Sequence, residues 1–157
     1  MRFARIFSLL IGGMIAQWLW SNLFSIQGVF PHVLFVLTVA VASESGPIPG
    51  QSIGFIWGLF LDCLSVRLFG SNALAFTSAA YLIGRMRRQM DVSEPPSQAA
   101  FVAILTPAYL LFLAAIGFLF EREVSSAGWK TAVLVPFYNG LLAPFAFSLV
   151  RRVLKTT

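Results

Sequence analysis

The stretch Gly46-Pro47-Ile48-Pro49-Gly50-Gln51-Ser52-Ile53-Gly54-Phe55-Ile56-Trp57-Gly58-Leu59-Phe60-Leu61-Asp62 sets a glycine, and finally an aspartate, at every fourth position of an apolar run. In a helix four residues advance by about 400°, so Gly50, Gly54, Gly58 and Asp62 wind slowly round one face. Glycines at this spacing let two helix backbones approach closely, which in lipid is a main source of helix association. Asp62 continues the stripe and is expected to point at a neighbouring helix, because a carboxylate in hydrocarbon costs about 2.5–3.5 kcal/mol on insertion scales. It needs a partner, water or a proton, and Arg67 is a candidate partner. The readings open for Asp62 are a cap or anchor of the bundle, a contact with another protein, and a proton or substrate site.

Outward from this stretch the charges are sparse. The 157 residues include 11 Lys+Arg and 6 Asp+Glu, 11% in all, against 58% hydrophobic residues, with a mean hydropathy of +0.82. A soluble domain carries about a quarter charged residues. This composition argues against a soluble enzyme, a nucleic-acid-binding module and a disordered tail. Residues 6–43, 45–61, 68–84, 95–120 and 131–150 are free of charge. A crossing needs about 20 apolar residues, so the first run holds two, with a break at Gln27-Gly28 and Pro31. The expectation is one all-α polytopic membrane domain over residues 1–157. Its spans are Ile6–Ile26, Phe30–Ser43, Ile48–Leu64, Leu68–Gly84, Ala99–Phe120 and Trp129–Val150. Spans two to four are short; they cross if longer neighbours shield them, and a re-entrant five-span layout is the competing topology.

With six spans both ends lie on one side, together with Arg2, Arg5, Arg85, Arg87, Arg88, Arg151, Arg152 and Lys155. Arg67, Arg122 and Lys130 remain on the other. This asymmetry puts both termini in the cytoplasm, and makes Arg85, Arg87, Arg88, Arg151 and Arg152 cytoplasmic basic anchors facing anionic lipid or an acidic partner. The first apolar run is too long for a secretory h-region and has no small-x-small cleavage site, so it reads as a retained helix. The longest loops, 85–98 and 121–128, are too short for a soluble catalytic domain.

Several motifs imitate chemistry. Gly50-Gln51-Ser52-Ile53-Gly54 fits G-x-S-x-G, but that motif needs a strand-to-helix elbow and a nearby base. The one histidine, His32, opens span two across the membrane from Ser52, beyond the about 3 Å a proton transfer requires. There is no G-x-x-x-x-G-K-[ST] run and no H-E-x-x-H, and one Cys (Cys63) with one His builds no zinc site within a chain. No metal, cofactor or catalytic residue is expected. Cys63 reads as a small packer, and the 16 Phe and 4 Trp as lipid-facing bulk and interfacial anchors. Gly12 and Ala16 form a small-xxx-small pair in span one, with Gln17 and Asn22 as polar groups that need partners. In the last span Asn139-Gly140 precedes Pro144, which removes a backbone donor, as Pro107 does in span five.

The block Gly54-Phe55-Ile56-Trp57-Gly58-Leu59-Phe60-Leu61-Asp62, followed by Gly70, Ala73-Leu74 and Tyr81-Leu82, resembles the rod shape-determining membrane protein family MreD. Asn139-Gly140-x-x-x-Pro144 with the basic end Arg151-Arg152, and Phe30-Pro31 opening span two, are similar to the same family, which often carries Asp or Asn where this chain has His32. The resemblance spans essentially the whole chain. It implies a non-catalytic scaffold or regulatory subunit of the bacterial cell-wall elongation (Rod) machinery, paired with the single-span protein MreC. MreB, RodA and an elongation penicillin-binding transpeptidase are implied as further partners. It also implies a six-helix fold like that of the substrate-binding components of energy-coupling-factor transporters, although fold does not carry function with it. Gly50, Gly54, Phe55, Gly58, Asp62, Gly70, Asn139, Gly140 and Pro144 are the candidates for helix packing or partner contact. A second reading is a vitamin-type substrate-binding transport component, which would need a polar-lined pocket near Asp62, Gln17, Asn72 and Asn139. A third, an intramembrane hydrolase, would need a reactive Ser52.

Overall fold

The computed structural model describes residues 2–23, 31–65, 68–89, 94–121 and 129–155. They form α1 (Arg2–Leu23), α2 (Val33–Ser45), α3 (Pro47–Leu64), α4 (Ser71–Met86), α5 (Pro95–Glu121) and α6 (Trp129–Lys155). Among the described residues there is no strand. Each expected segment carries a helix, but residues 31–32 and 68–70 precede α2 and α4 and are not helical, and residues 24–26 and 30 lie outside the described residues. Each helix runs past an expected end, most of all α1 from Arg2, α5 from Pro95 and α6 to Lys155, because a helix can continue past its apolar stretch. Two stretches, Pro95–Phe120 and Thr131–Leu154, are long and apolar enough to cross a membrane.

The arrangement follows from α2. This helix has 13 residues, about 20 Å of rise, and Leu34–Ala42 are all buried. A helix that is apolar all round has no solvent face and belongs inside. Accordingly α1, α3, α4, α5 and α6 form a ring in that order, each touching the next and α6 closing on α1, with α2 packed within it. Phe35, Phe76, Phe147 and Trp57 are fully buried in this core. Trp57 donates its indole N–H to the Leu10 carbonyl (3.1 Å), so it is a core residue and a correction to its expected interfacial place.

Two glycines make the tight connections possible. Gly46 (φ 95°) turns the chain from α2 into α3 with Pro47 following. A proline loses nothing at the first helical turn, where no N–H partner is available. Gly70 (φ 96°) sits just before α4. Both backbone conformations are left-handed and strain any residue with a Cβ.

The glycine stripe is filled by the chain's own helices. A Cβ on Gly50 would come within 2.8 Å of the Ala42 Cβ, and one on Gly54 within 2.9 Å of the Thr38 methyl. On Gly58 it would overlap the Ala73 backbone, and on Gly84 the Pro47 backbone. Thus α3 nests against α2 along its first half, and against α4 both at Pro47 and along its second half. In α1 the packed glycine is Gly13, whose Cβ would meet Trp57 at 2.9 Å, while Gly12 has nothing within 4 Å. The expected Gly12/Ala16 pair instead borders an apolar groove of 370 Å3 between α1 and α6. Cys63 is exposed and packs nothing into the core.

Candidate functional site

A helix N-terminus leaves its first N–H groups without intrahelical partners. At the start of α4 those groups meet Asp62, brought there by the close α3–α4 contact at Gly58. Asp62 Oδ1 accepts from the Asn72 backbone N–H (3.0 Å), the Asn72 side-chain amide (2.9 Å) and, at a longer 3.4 Å, the Ser71 hydroxyl. Oδ2 accepts from the Ala73 N–H (3.0 Å). The carboxylate is buried, with 2% of the residue exposed, and it faces the positive end of the α4 dipole. Anions there gain about 0.3–2 kcal/mol. Asp62 therefore caps α4. Arg67, expected as a partner, lies outside the described residues, as do the break at Gln27-Gly28, Arg122 and the side chains of Arg2, Arg5, Lys130 and Lys155.

From Asn72 the polar contacts continue into the bundle. Tyr109 donates its hydroxyl to Asn72 Oδ1 (2.7 Å), and its ring stacks on Phe35 at 4.4 Å and meets His32 edge-on at 5.4 Å. The N-terminus of α2, too, needs acceptors in an apolar setting. The His32 backbone N–H donates to Asn139 Oδ1 (2.9 Å), and the Leu34 N–H to Gln17 Oε1 (3.2 Å). Gln17 in turn donates to the Pro31 carbonyl (3.3 Å). Asn139 donates to the Thr106 hydroxyl (3.1 Å), which donates to the Val102 carbonyl (2.8 Å). All six helices thus contribute to one polar layer near the end where α2 begins. Above it is a cavity of 340 Å3, open on one side and bounded by α1, α3, α4 and α5 around His32.

The opposite end is basic. Arg151 Nε pairs with Glu44 Oε1 at 2.5 Å, and Arg87 donates to the Glu44 carbonyl (3.3 Å) while lying over Gly46. Arg85, Arg88 and Arg152 are exposed there. Glu44 therefore ties the C-terminus of α2 to α4 and α6.

The expected packing residues fall into three groups. Gly50, Gly54, Gly58, Asp62 and Asn139 are buried joints. Gly140 sits where α6 passes α5, its Cβ position 3.1 Å from the Ala99 carbonyl, and Pro144 lies within α6, half-buried. Phe55 points outward at 47% exposure, and Gly70 serves its turn with nothing within 4 Å. Tyr109, Thr106, Glu44 and Gly84 are joints the sequence reading did not single out. A tyrosine or threonine within an otherwise apolar span was the available signal, since such a hydroxyl needs a partner. The G-x-S-x-G match lies within α3, and Ser52 is exposed, bonding its own Ile48 carbonyl (3.1 Å). Among the described residues no group of three or more His, Cys, Asp and Glu side chains is placed to hold a metal ion.

These features define an all-helical bundle suited to lipid, with buried polar groups engaged in joining helices. The chain belongs to the MreD family: residues 1–153 match the family model described as rod shape-determining protein MreD. It is thus a membrane protein with a role in determining rod shape. No curated protein and no solved structure matches it.

Proposed function

We propose that this chain is a non-catalytic scaffold subunit of the bacterial cell-wall elongation machinery and acts by forming a complex with an MreC-like single-span protein. The family match over residues 1–153 carries this reading. In it, all six helices cross the cytoplasmic membrane, in an arrangement like that of energy-coupling-factor substrate-binding components. The basic end with both termini faces the cytoplasm, following the positive-inside rule. The short helix α2 is compatible with this topology because the ring shields it from lipid, and α3 and α4, which belong to that ring, cross where the bilayer is locally thinned. MreB, RodA and an elongation transpeptidase join through the same assembly.

The bundle supports a scaffold role physically. Its polar groups hold helices at fixed positions, and fixed helices present a defined outer surface to another membrane protein. Affinity purification in mild detergent of the tagged chain expressed with an MreC-like protein tests the reading. Co-elution in a defined ratio is expected; no association, with both proteins inserted and folded, overturns it. The transport reading has one observation on its side, the cavity beside Gln17 and Asn72, but a cavity is evidence of binding and not of translocation.

A further inference from the structure

The central helix is shorter than the ring around it, so the ring leaves a chamber above the start of α2. The 340 Å3 of this chamber would hold about 11 waters at 30 Å3 each, and it falls in the range of small-molecule pockets, about 300–1,000 Å3.

Its wall has a definite chemistry. Gln17 (2% exposed) and Asn72 (9% exposed) both line it. A primary amide has two N–H donors and a carbonyl with two lone pairs. Gln17 uses one N–H on the Pro31 carbonyl and one lone pair on the Leu34 N–H. Asn72 uses one N–H on Asp62 and one lone pair on the Tyr109 hydroxyl. Each amide therefore retains one donor and one acceptor beyond these bonds, in side chains almost wholly removed from bulk water. The rest of the described wall combines Trp18, Leu64 and Leu113 with His32, Tyr109 and the hydroxyls of Ser21 and Ser65. Among the described residues no Lys, Arg, Asp or Glu side chain lines the chamber; Asp62 lies behind Asn72 with both oxygens engaged.

We infer that this chamber is a binding site for a small uncharged molecule that combines a flat apolar body with an amide-like edge offering a donor and an acceptor together. An amide or lactam edge matches the unused donor and acceptor of Gln17 or Asn72, and its ring lies against Trp18 and Leu113. A carboxylate, phosphate or ammonium finds no Lys, Arg, Asp or Glu among the described wall residues and must give up hydration on entry, which disfavours it.

The test uses the full chain in lipid nanodiscs and radiolabelled naphthamide as the probe, with naphthoate and naphthylmethylamine as competitors of the same shape and opposite charges. Saturable binding of one naphthamide per chain is expected, with both charged analogues weaker by about tenfold or more. Leu113→Trp, and independently Leu64→Trp, place bulk in the chamber and are expected to abolish binding while the protein melts as the parent does. Absence of saturable binding, equal competition by a charged analogue, or undiminished binding in a filled and normally melting variant overturns the inference. Should both variants fail to fold, discrimination among the three probes still decides it. Co-elution with an MreC-like protein is measured separately, so loss of one property does not read as loss of the other.

Discussion

Asn72 meets Asp62 twice, through its backbone N–H at 3.0 Å and its side-chain amide at 2.9 Å, both on Oδ1. The second carboxylate oxygen takes the Ala73 N–H. Every atom of the contact is then a donor facing an acceptor, and a single-atom change breaks that match. In Asp62→Asn one oxygen becomes an NH2 group, which must face either the Ala73 N–H or the Asn72 donors. The expected loss is about 2–3 kcal/mol, the cost of a charged hydrogen bond replaced by an unmatched buried pair. Unfolding in detergent measures it. Stability equal to the parent's would show that Asp62 does not hold α4.

Gly58 and Gly12 are predicted to respond oppositely to the same methyl group. Gly58→Ala drives a Cβ into the Ala73 backbone, and overpacking of this kind costs about 1–3 kcal/mol or more. Gly12→Ala meets nothing within 4 Å and gains up to about 1 kcal/mol from helix propensity. Melting temperatures of the two variants should move in opposite directions. A Gly58→Ala protein as stable as the parent would mean that α3 and α4 stand farther apart than described.

Asn139→Leu removes the acceptor of the His32 N–H and the donor to Thr106 in one step. Leaving the half-buried His32 N–H without this acceptor is expected to cost about 0.5–1.5 kcal/mol. Hydrogen exchange should accelerate first at the N-terminal turn of α2. Acceleration confined to α6 would place the effect in local packing of the mutated helix instead.

The Glu44–Arg151 pair should show measurable coupling in a double-mutant cycle with Glu44→Gln and Arg151→Gln. The two side chains are 17% and 30% exposed, so the coupling is expected near the upper part of the surface range, about 0.5–1 kcal/mol, and weaker at high salt. Additive effects of the two changes would show that the pair does not secure the end of α2.

Much of the fold was legible because charge is excluded from lipid. The charge-free runs located all six helices, and the four-residue glycine period marked the face of α3 that packs. Asp62 was legible as a residue in need of a partner, yet two of its donors are the backbone N–H groups of Asn72 and Ala73, which carry no side-chain signal, and they are joined by the Asn72 amide. The same holds for Gln17 and Asn139, which satisfy the start of α2. The central position of α2 was not legible either. Its length and uniform apolarity fit a short crossing as well as a sheathed one, and only the neighbours decide. Gly84 gave no signal because a lone glycine has no period, although a Cβ there would strike Pro47.

The sheathing of α2 bears on how the molecule is made. At about 20 Å the helix is too short to cover a hydrocarbon layer of about 30 Å unaided, and it carries Glu44 near one end. As the chain emerges from the ribosome, α2 is synthesised before four of the five helices that enclose it. It must then wait at the insertion channel or near the bilayer surface until α3 and α4 emerge. Biogenesis of this protein is therefore expected to be a concerted release of several helices, with truncation after α2 leaving a fragment that the cell degrades.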